Sequence, residues 1–233
     1  MIHFLTYSND LMDISRRRCI ESGSKHGANI LYEFTPADLD YDHPLKNEER
    51  GNGYWWWKPY LTDKVMEQAK DGDYVVYIDA GVEVIENLSH IINAMTQDIF
   101  LFTNGLQHAD WCKADVMQAI NSKQIEHQYT QVQASAIFIR VSQFSRNFIK
   151  EWLAYCNIPW MIDDTPSTIP NHPEFACHRY DQAILCCLAY KYDIVLHFWA
   201  DAKWFSSQRY RWPNDTYPLM FHHHRKRNNE YPE

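Results

Sequence analysis

The sequence predicts an α/β fold, with a mostly parallel central sheet flanked by helices, in one domain spanning residues 1–233. Short apolar runs alternate with stretches of helical periodicity through the first two thirds of the chain, which is the pattern of a parallel sheet covered by helices. A length of 233 residues suits one such domain and is short for two. With 45% hydrophobic and 22% charged residues, the composition is that of a folded globular protein and excludes disordered and fibrous classes.

The first elements follow the alternation expected of this class. The apolar run from Ile2 to Tyr7 predicts a buried strand, and residues Asn29 to Phe34 predict a second one. The stretch between them, from Leu11 to Ser22, has helical spacing with one face formed by Leu11, Ile14 and Arg18. The loop that follows, Thr35 to Gly53, is long for a structural connection, which favours a functional role.

The strongest strand signal lies in the middle of the chain. Residues Tyr74 to Ile78 form a continuous apolar run, as in a strand buried on both faces, after a helix that starts near Pro59 and stops at Asp71 and Gly72. The run ends in Asp79, so a carboxylate is expected at the carboxyl end of a central strand. Ligands of open α/β sheets bind beyond that edge. Capping of the following turn is the alternative role for Asp79.

Further elements are expected in the second half. Strands are predicted at Ile99–Thr103, Ala136–Arg140 and Ile194–Trp199, and a helix from about Tyr180 to Tyr190. Ser142 is expected to cap another helix, whose core-facing stripe recurs at four-residue steps: Phe144, Phe148, Trp152 and Cys156.

Charge and cysteine content limit the partners and the location. The formal net charge of −8 argues against a protein that binds nucleic-acid phosphates, which requires a basic face. No apolar run approaches the roughly 18 residues of a membrane span, and the N-terminus lacks the pattern of a signal peptide. The six cysteines form no CxxC pair, so we expect reduced, mostly buried thiols. A cytoplasmic protein is expected, in a bacterium or in the host of a virus, with its oligomeric state left open.

An aromatic and basic block precedes the central strand. Trp55, Trp56 and Trp57 are consecutive and cannot all face a core, and Lys58 follows them. Lys58 is expected near the N-terminus of the next helix, where the helix dipole favours anions, so it is a candidate for a phosphate. A solvated lysine is an equally consistent interpretation.

Two blocks of the sequence carry a resemblance to a known family. The segment Gly53-Tyr54-Trp55-Trp56-Trp57-Lys58-Pro59, followed by residues 72–81, resembles small GT-A-fold glycosyltransferases of bacterial polysaccharide clusters and large DNA viruses. The N-terminal domain of the multidomain glycosyltransferase of chlorella viruses is one such protein. Residues 111–115, 178–182 and 222–227 resemble later parts of the family more weakly.

The resemblance implies a nucleoside-diphosphate sugar as donor, with a UDP-sugar favoured, and a Mn²⁺ or Mg²⁺ ion bound by an Asp-x-Asp motif. Gly81 occupies the position of the second aspartate, so Asp79 needs a further ligand. Glu83 is one candidate. The other candidates are the late histidines, with His223 and His224 favoured over His222, although all three histidines are also compatible with an exposed surface.

Other residues are assigned to the donor by the same resemblance. Thr6 and Tyr7 are expected to hold the nucleotide base, with Tyr7 stacking on uracil. The diphosphate is expected near Trp57 and Lys58 and near the cluster begun by Arg225, which would neutralise the leaving group. A solvated basic tail is the alternative for that cluster.

For catalysis, an inverting transfer needs a general base near the acceptor hydroxyl. Asp181 is the candidate, with helix capping as its structural alternative, and Asp110 and Asp115 are held in reserve. The acceptor is expected near Asp110, Trp111 and Gln182.

The sequence therefore predicts a metal-dependent glycosyltransferase that acts on a carbohydrate acceptor, with inversion favoured. Two alternatives remain: a carbohydrate-binding protein without activity, and a sugar-1-phosphate nucleotidyltransferase. The absence of a Gly-rich loop near the first strand argues against the second. Donor sugar, acceptor and stereochemistry are left open.

Overall fold

A computed structural model describes residues 1–39, 42–120, 129–200 and 217–231. Its larger sheet has six strands: β1 (Ile2–Tyr7), β2 (Ile30–Phe34), β3 (Tyr74–Ile78), β5 (Ile99–Gln107), β6 (Thr130–Arg140) and β7 (Leu196–Phe198). A second sheet pairs β4 (Val82–Val84) with β8 (Phe221–His223). The helices are α1 (Asp13–Lys25), α2 (Gly51–Tyr54), α3 (Trp57–Met66), α4 (Ser89–Ala94), α5 (Ala114–Ala119), α6 (Gln143–Cys156), α7 (Pro159–Ile162) and α8 (Tyr180–Lys191).

The strand order confirms the predicted mixed α/β class. The strands lie in the order β2-β1-β3-β6-β5-β7. Strand β6 runs antiparallel to both of its neighbours, and the other pairings in this sheet are parallel. The sheet is therefore mostly parallel, with β3 near its centre and its carboxyl end at Asp79.

Side chains alternate between two buried layers because successive strand residues point to opposite faces. One layer holds Leu5 and Tyr77 and is covered by α3, α6 and α8. The other holds Phe4 and Val76 and is covered by α1 and the small sheet. Both faces of β3 are thus shielded from water, as its apolar run predicts.

Local signals near α6 were correct, whereas the predicted face of α1 was wrong. The Ser142 hydroxyl accepts a hydrogen bond from the Ser145 N–H at 3.1 Å and caps α6, although Phe144 of the predicted stripe is exposed. In the first helical region, Leu11 is 57% exposed and Ile14 is also exposed. The buried side of α1 carries Ser15, Arg16, Cys19 and Gly23, because this side packs against the Phe4 layer of the sheet; Arg16 also forms ion pairs with Asp13 and Glu33.

The second sheet was not predicted, and it shapes the edge beyond β3. Val82 pairs with His223, so the C-terminal segment returns to the residues after Asp79. The backbone N–H groups of His224 and Arg225 both donate to the Gly81 carbonyl at 3.0 Å. A Cβ atom at Gly81 would lie 2.8 Å from the Arg225 Cα. This close crossing explains why glycine occupies the position of the second aspartate.

Two further predictions from the sequence concern the state of the cysteines and the presence of membrane-spanning helices. All six cysteines are free, and all except Cys177 are buried, as predicted. Among the described residues, none of the helices combines the length and the apolar character that crossing a membrane would take.

Candidate active site

A cavity of about 780 Å³ opens beyond the carboxyl ends of β1 and β3. Asp79, Ala80 and Gly81 form part of its lining, together with residues from the Gly51–Tyr54 segment, from the start of α8 and from the C-terminal segment. The cavity therefore lies where ligands bind in open α/β sheets.

Lys58 joins two carboxylates at the base of this cavity. Its Nζ atom lies 3.3 Å from Oδ1 of Asp79 and 3.3 Å from Oδ2 of Asp181, and it donates to the Ala134 carbonyl at 3.1 Å. The side chains of Lys58 and Asp181 are only 4% and 5% exposed, whereas that of Asp79 is 31% exposed. Sequence reasoning placed Lys58 at a phosphate; the structure instead places its charge between two aspartates that lie 102 positions apart.

The two aspartates have opposite pKa shifts. Burial raises the pKa of Asp181 to about 6; the negative charge of Asp79 adds to the shift, and Lys58 opposes it. At Asp79, desolvation also favours the neutral form, but Lys58 and hydrogen bonds from Tyr77 and Ser135 outweigh it and hold the pKa below its ordinary value. The Tyr77 hydroxyl donates to Oδ1 of Asp79 at 2.5 Å. The site thus holds one carboxyl group with a lowered pKa, Asp79, and one with a pKa of about 6, Asp181.

The C-terminal segment brings His223 and Arg225 to the same cavity. The Arg225 Nε donates to the His223 Nε2 at 2.8 Å, so this nitrogen of His223 is an acceptor in the structure. His223 also lies close enough to Asp79 for the two side chains to interact electrostatically. Arg227 also lines the cavity. The Asp79 carboxylate, the His223 imidazole and the guanidinium groups of Arg225 and Arg227 therefore line the same cavity.

His224 and Glu83 do not line this cavity. Oε1 of Glu83 lies 3.5 Å from Nε2 of His224 and accepts from Nε of Arg18 at 2.7 Å. The Nδ1 atom of His224 accepts from the Lys226 N–H at 3.0 Å. Of the predicted partners of Asp79, the structure therefore brings His223 to the cavity, places Glu83 and His224 on the side of α1, and leaves His222 exposed outside the cavity.

Of the residues predicted to bind the nucleotide, some line the cavity and one does not. Tyr7 and Trp57 line the cavity, and their ring centroids are 4.0 Å apart. The Tyr7 hydroxyl accepts a hydrogen bond from Asn52. Thr6 is fully buried and does not reach the cavity. Because Trp57 and Asn52 already contact Tyr7, stacking of uracil on Tyr7 requires its other ring face.

An unpredicted left-handed segment forms one wall. Five consecutive residues from Gly51 to Trp55 have positive φ angles between 54° and 93°. Positive φ costs a residue with a side chain conformational energy, and such residues concentrate at functional sites. The Trp57 Nε1 donates to the Gly51 carbonyl at 2.9 Å and stabilises the turn. The Gly51 and Gly53 positions are a sequence signal that could have indicated this conformation.

Among the predicted acceptor residues, only Gln182 lines the cavity. Trp111 lies behind its rim, where the Arg179 guanidinium packs 4.2 Å from the Trp111 ring centroid. Oδ1 of Asp110 lies 2.9 Å from Nδ1 of His172, and the reserve candidate Asp115 accepts hydrogen bonds from Thr168. An aromatic rim that sequence reasoning missed is formed by Trp55 and Tyr180, whose ring centroids are 5.3 Å apart.

Comparison with known proteins supports the fold. No protein-family model matches the chain, and no curated protein matches it in sequence. The structure is similar to the galactosyltransferase LgtC in complex with donor and acceptor sugar analogues, with a TM-score of 0.54 and 14% identity over 96% of this chain and 87% of that one. It is also similar to a glycosyltransferase involved in glycosylation of the major capsid of PBCV-1, with a TM-score of 0.51 and 16% identity over 95% and 92% of the two chains.

A third similar structure is that of the bifunctional glycosyltransferase WbbM, with a TM-score of 0.51 and 13% identity over 84% of this chain. This chain spans 38% of the length of WbbM. At sequence identities of 13–16%, these similarities show a shared fold and nothing more specific. The chain therefore has the GT-A α/β fold of these glycosyltransferases.

Proposed function

We propose that this protein is a glycosyltransferase that moves a sugar from a nucleoside-diphosphate donor to a carbohydrate acceptor. One observation carries the proposal: Lys58 joins Asp79 and Asp181 at the base of a large cavity, where a GT-A fold has its functional edge. Two carboxylates around one buried lysine leave a net negative charge, which costs stability, and a role in catalysis would account for its presence. The glycosyltransferase neighbours support the same reaction class.

A divalent cation, Mn²⁺ or Mg²⁺, fits the residues at this edge. Hard cations take carboxylate oxygens and commonly use one or two protein carboxylates together with substrate phosphates. Asp79 would supply the carboxylate, since Lys58 and Tyr77 engage only its Oδ1 atom. His223 would supply an imidazole once Arg225 releases its Nε2, or through its other nitrogen. The cation would neutralise charge on the diphosphate.

Arg225 and Arg227 have a second role in the proposal. Both line the cavity near Asp79, and guanidinium groups form paired hydrogen bonds with phosphate oxygens. As the donor bond breaks, negative charge grows on the leaving diphosphate. Preorganised cations stabilise such developing charge more than they stabilise the ground state.

Asp181 is the proposed general base. During transfer, the bond from the anomeric carbon to the diphosphate oxygen breaks, and its electron pair leaves with the nucleotide. A bond from that carbon to the acceptor oxygen forms, and the acceptor proton passes to Asp181. A base with a pKa near the working pH is efficient, and the pKa of Asp181 is about 6. This role fits an inverting transfer.

The test is a turnover assay with UDP-sugars and GDP-sugars, Mn²⁺ and simple sugar acceptors. We expect release of the nucleoside diphosphate with at least one donor, and an inverted anomeric centre in the product by NMR. Asp181→Asn should still bind UDP but lose transfer by at least about 100-fold, the usual size of general-base catalysis. Asp71→Asn is the matched control, because Asp71 is 76% exposed and forms its ion pair with Arg146 away from the cavity.

Other outcomes would support the alternatives. Binding of simple sugars with no affinity for nucleotides, with or without Mn²⁺, would indicate a carbohydrate-binding protein. Formation of a nucleotide sugar and pyrophosphate from a sugar-1-phosphate and a nucleoside triphosphate would indicate a nucleotidyltransferase. Either result would overturn the proposal.

A further inference from the structure

We propose that His108, Cys112 and Cys187 bind a Zn²⁺ ion at a structural site separate from the cavity. His108 begins a short 3₁₀ turn, His108–Trp111, directly after β5, and Cys112 follows that turn. Cys187 lies in α8. None of the three lines the cavity that contains Asp79. The site would connect the turn after β5 to α8, and its two cysteine ligands are 75 positions apart in the sequence.

The distances match tetrahedral zinc coordination. The Sγ atoms of Cys112 and Cys187 are 3.8 Å apart, and Nε2 of His108 lies 3.3 Å from Sγ of Cys187. The three ligand atoms all lie within 4.8 Å of one another. With Zn–S bonds of about 2.3 Å, two sulfurs of a tetrahedral site are separated by about 3.8 Å. An ion at the centre of the three atoms therefore needs only small side-chain adjustments.

Burial and charge favour zinc over a hard cation. The side chains of His108, Cys112 and Cys187 are fully buried. Two thiolates and a neutral imidazole balance the charge of a divalent ion, so the complex can be buried without a further counterion. Thiolate ligands select zinc and other soft metals, whereas Mg²⁺ and Mn²⁺ prefer oxygen. The site therefore differs in its metal from the one proposed at Asp79.

The alternative pairing of the two thiols is a disulfide. The observed separation of 3.8 Å is well beyond an S–S bond of about 2.05 Å. His108 also contacts the Cys187 sulfur, which a disulfide would not need. The three side chains would occupy three of the four positions of a tetrahedral zinc ion.

The site would support the proposed base from within the same helix. Asp181 and Cys187 are six residues apart in α8, a rise of about 9 Å. The carbonyl of Asp181 also accepts a hydrogen bond from the Trp152 Nε1 at 3.0 Å, so α8 is fixed at one end by α6. Zinc would fix it further along, against the end of β5.

The experiment measures metal on the purified full chain, independently of any sugar substrate. Protein prepared anaerobically with Zn²⁺ and passed over a desalting column should keep one equivalent of zinc by mass spectrometry. Cys187→Ser and Cys112→Ser should lose it. Cys156→Ser is the matched control, because Cys156 is equally buried but lies outside the cluster.

A second measurement decides the matter if the serine variants fail to fold. Co²⁺ added to the reduced, metal-free wild type should give the strong charge-transfer absorption of a thiolate complex. No zinc retained and no such absorption would overturn the proposal. Detection of four rather than six titratable thiols in anaerobically unfolded wild type would also overturn it, in favour of the disulfide.

Discussion

Nζ of Lys58 lies 3.3 Å from Oδ2 of Asp181, a residue that follows it by 123 positions. The same ammonium group is 3.3 Å from Oδ1 of Asp79. One buried cation therefore faces two carboxylates, and when both are ionised the group of three carries one net negative charge. Burial and the negative charge of Asp79 raise the pKa of Asp181, whereas Lys58 and hydrogen bonds from Tyr77 and Ser135 hold the pKa of Asp79 below its ordinary value. These opposite shifts set the acid–base behaviour of the site.

The first prediction concerns pH. Because Asp181 must be deprotonated to accept a proton, kcat/KM should rise as the pH increases through about 6. A rate profile of donor consumption between acidic and neutral pH measures this limb. A wild-type profile that is flat across this region would exclude Asp181 as the base.

The second prediction concerns stability. In Lys58→Met the two carboxylates lose their shared cation, so we expect a loss of about 3–5 kcal/mol in the free energy of unfolding near neutral pH. A carboxyl group whose folded pKa is raised contributes stability when protonated, and that contribution is lost as the pH rises through the folded pKa. The loss in Lys58→Met should therefore be smaller below about pH 6, where Asp181 takes up a proton.

Urea unfolding at two pH values measures the Lys58→Met effect. Lys150→Met serves as the control, since Lys150 is exposed on α6 and its replacement should change stability by less than about 0.5 kcal/mol. Equal losses at both pH values would contradict the proposed coupling between Lys58 and Asp181.

The third prediction concerns the missing second aspartate. Gly81→Asp restores an Asp-x-Asp motif in sequence, but its Cβ would lie 2.8 Å from the Arg225 Cα. We expect both Gly81→Asp and Gly81→Ala to lower the melting temperature and to weaken UDP binding, because both variants displace the C-terminal segment. Tighter Mn²⁺-dependent binding in Gly81→Asp would show that the crossing is not the reason for glycine.

The fourth prediction separates two adjacent histidines. His223 lines the cavity, whereas His224 lies 3.5 Å from Glu83 on the side of α1. His223→Ala should reduce Mn²⁺-dependent affinity for UDP by at least about tenfold, a typical cost of altering a metal site. His224→Ala should leave this affinity unchanged. Calorimetric titrations of both variants make the comparison, and the reverse ranking would rule out His223 as the ligand.

The sequence predicts those parts of the structure that local pattern determines. The apolar run before Asp79 identified β3 with its observed bounds, and Ser142 caps α6 as expected. The pairing of β4 with β8 could not be predicted, because these are three-residue strands whose partners Val84 and Phe221 are 137 positions apart and which are fixed by tertiary contacts. The ion pair of Lys58 with Asp181 also joins distant parts of the chain.

The cysteine cluster also depends on contacts between distant parts of the chain, which the sequence does not reveal. A search for CxxC pairs finds none, because the proposed zinc ligands combine a His-x-x-x-Cys segment with a distant helix. The cytoplasmic location, the bacterial or viral origin and the UDP specificity stay predictions from the sequence.

The central claim is that Asp79 anchors a divalent cation that holds the donor diphosphate. Calorimetric titration of UDP into wild type, Asp79→Asn and the surface control Asp71→Asn, each with and without Mn²⁺, tests it most directly. We predict Mn²⁺-dependent binding in wild type and Asp71→Asn, and its loss in Asp79→Asn. Equal, Mn²⁺-independent affinity in all three proteins would contradict the claim.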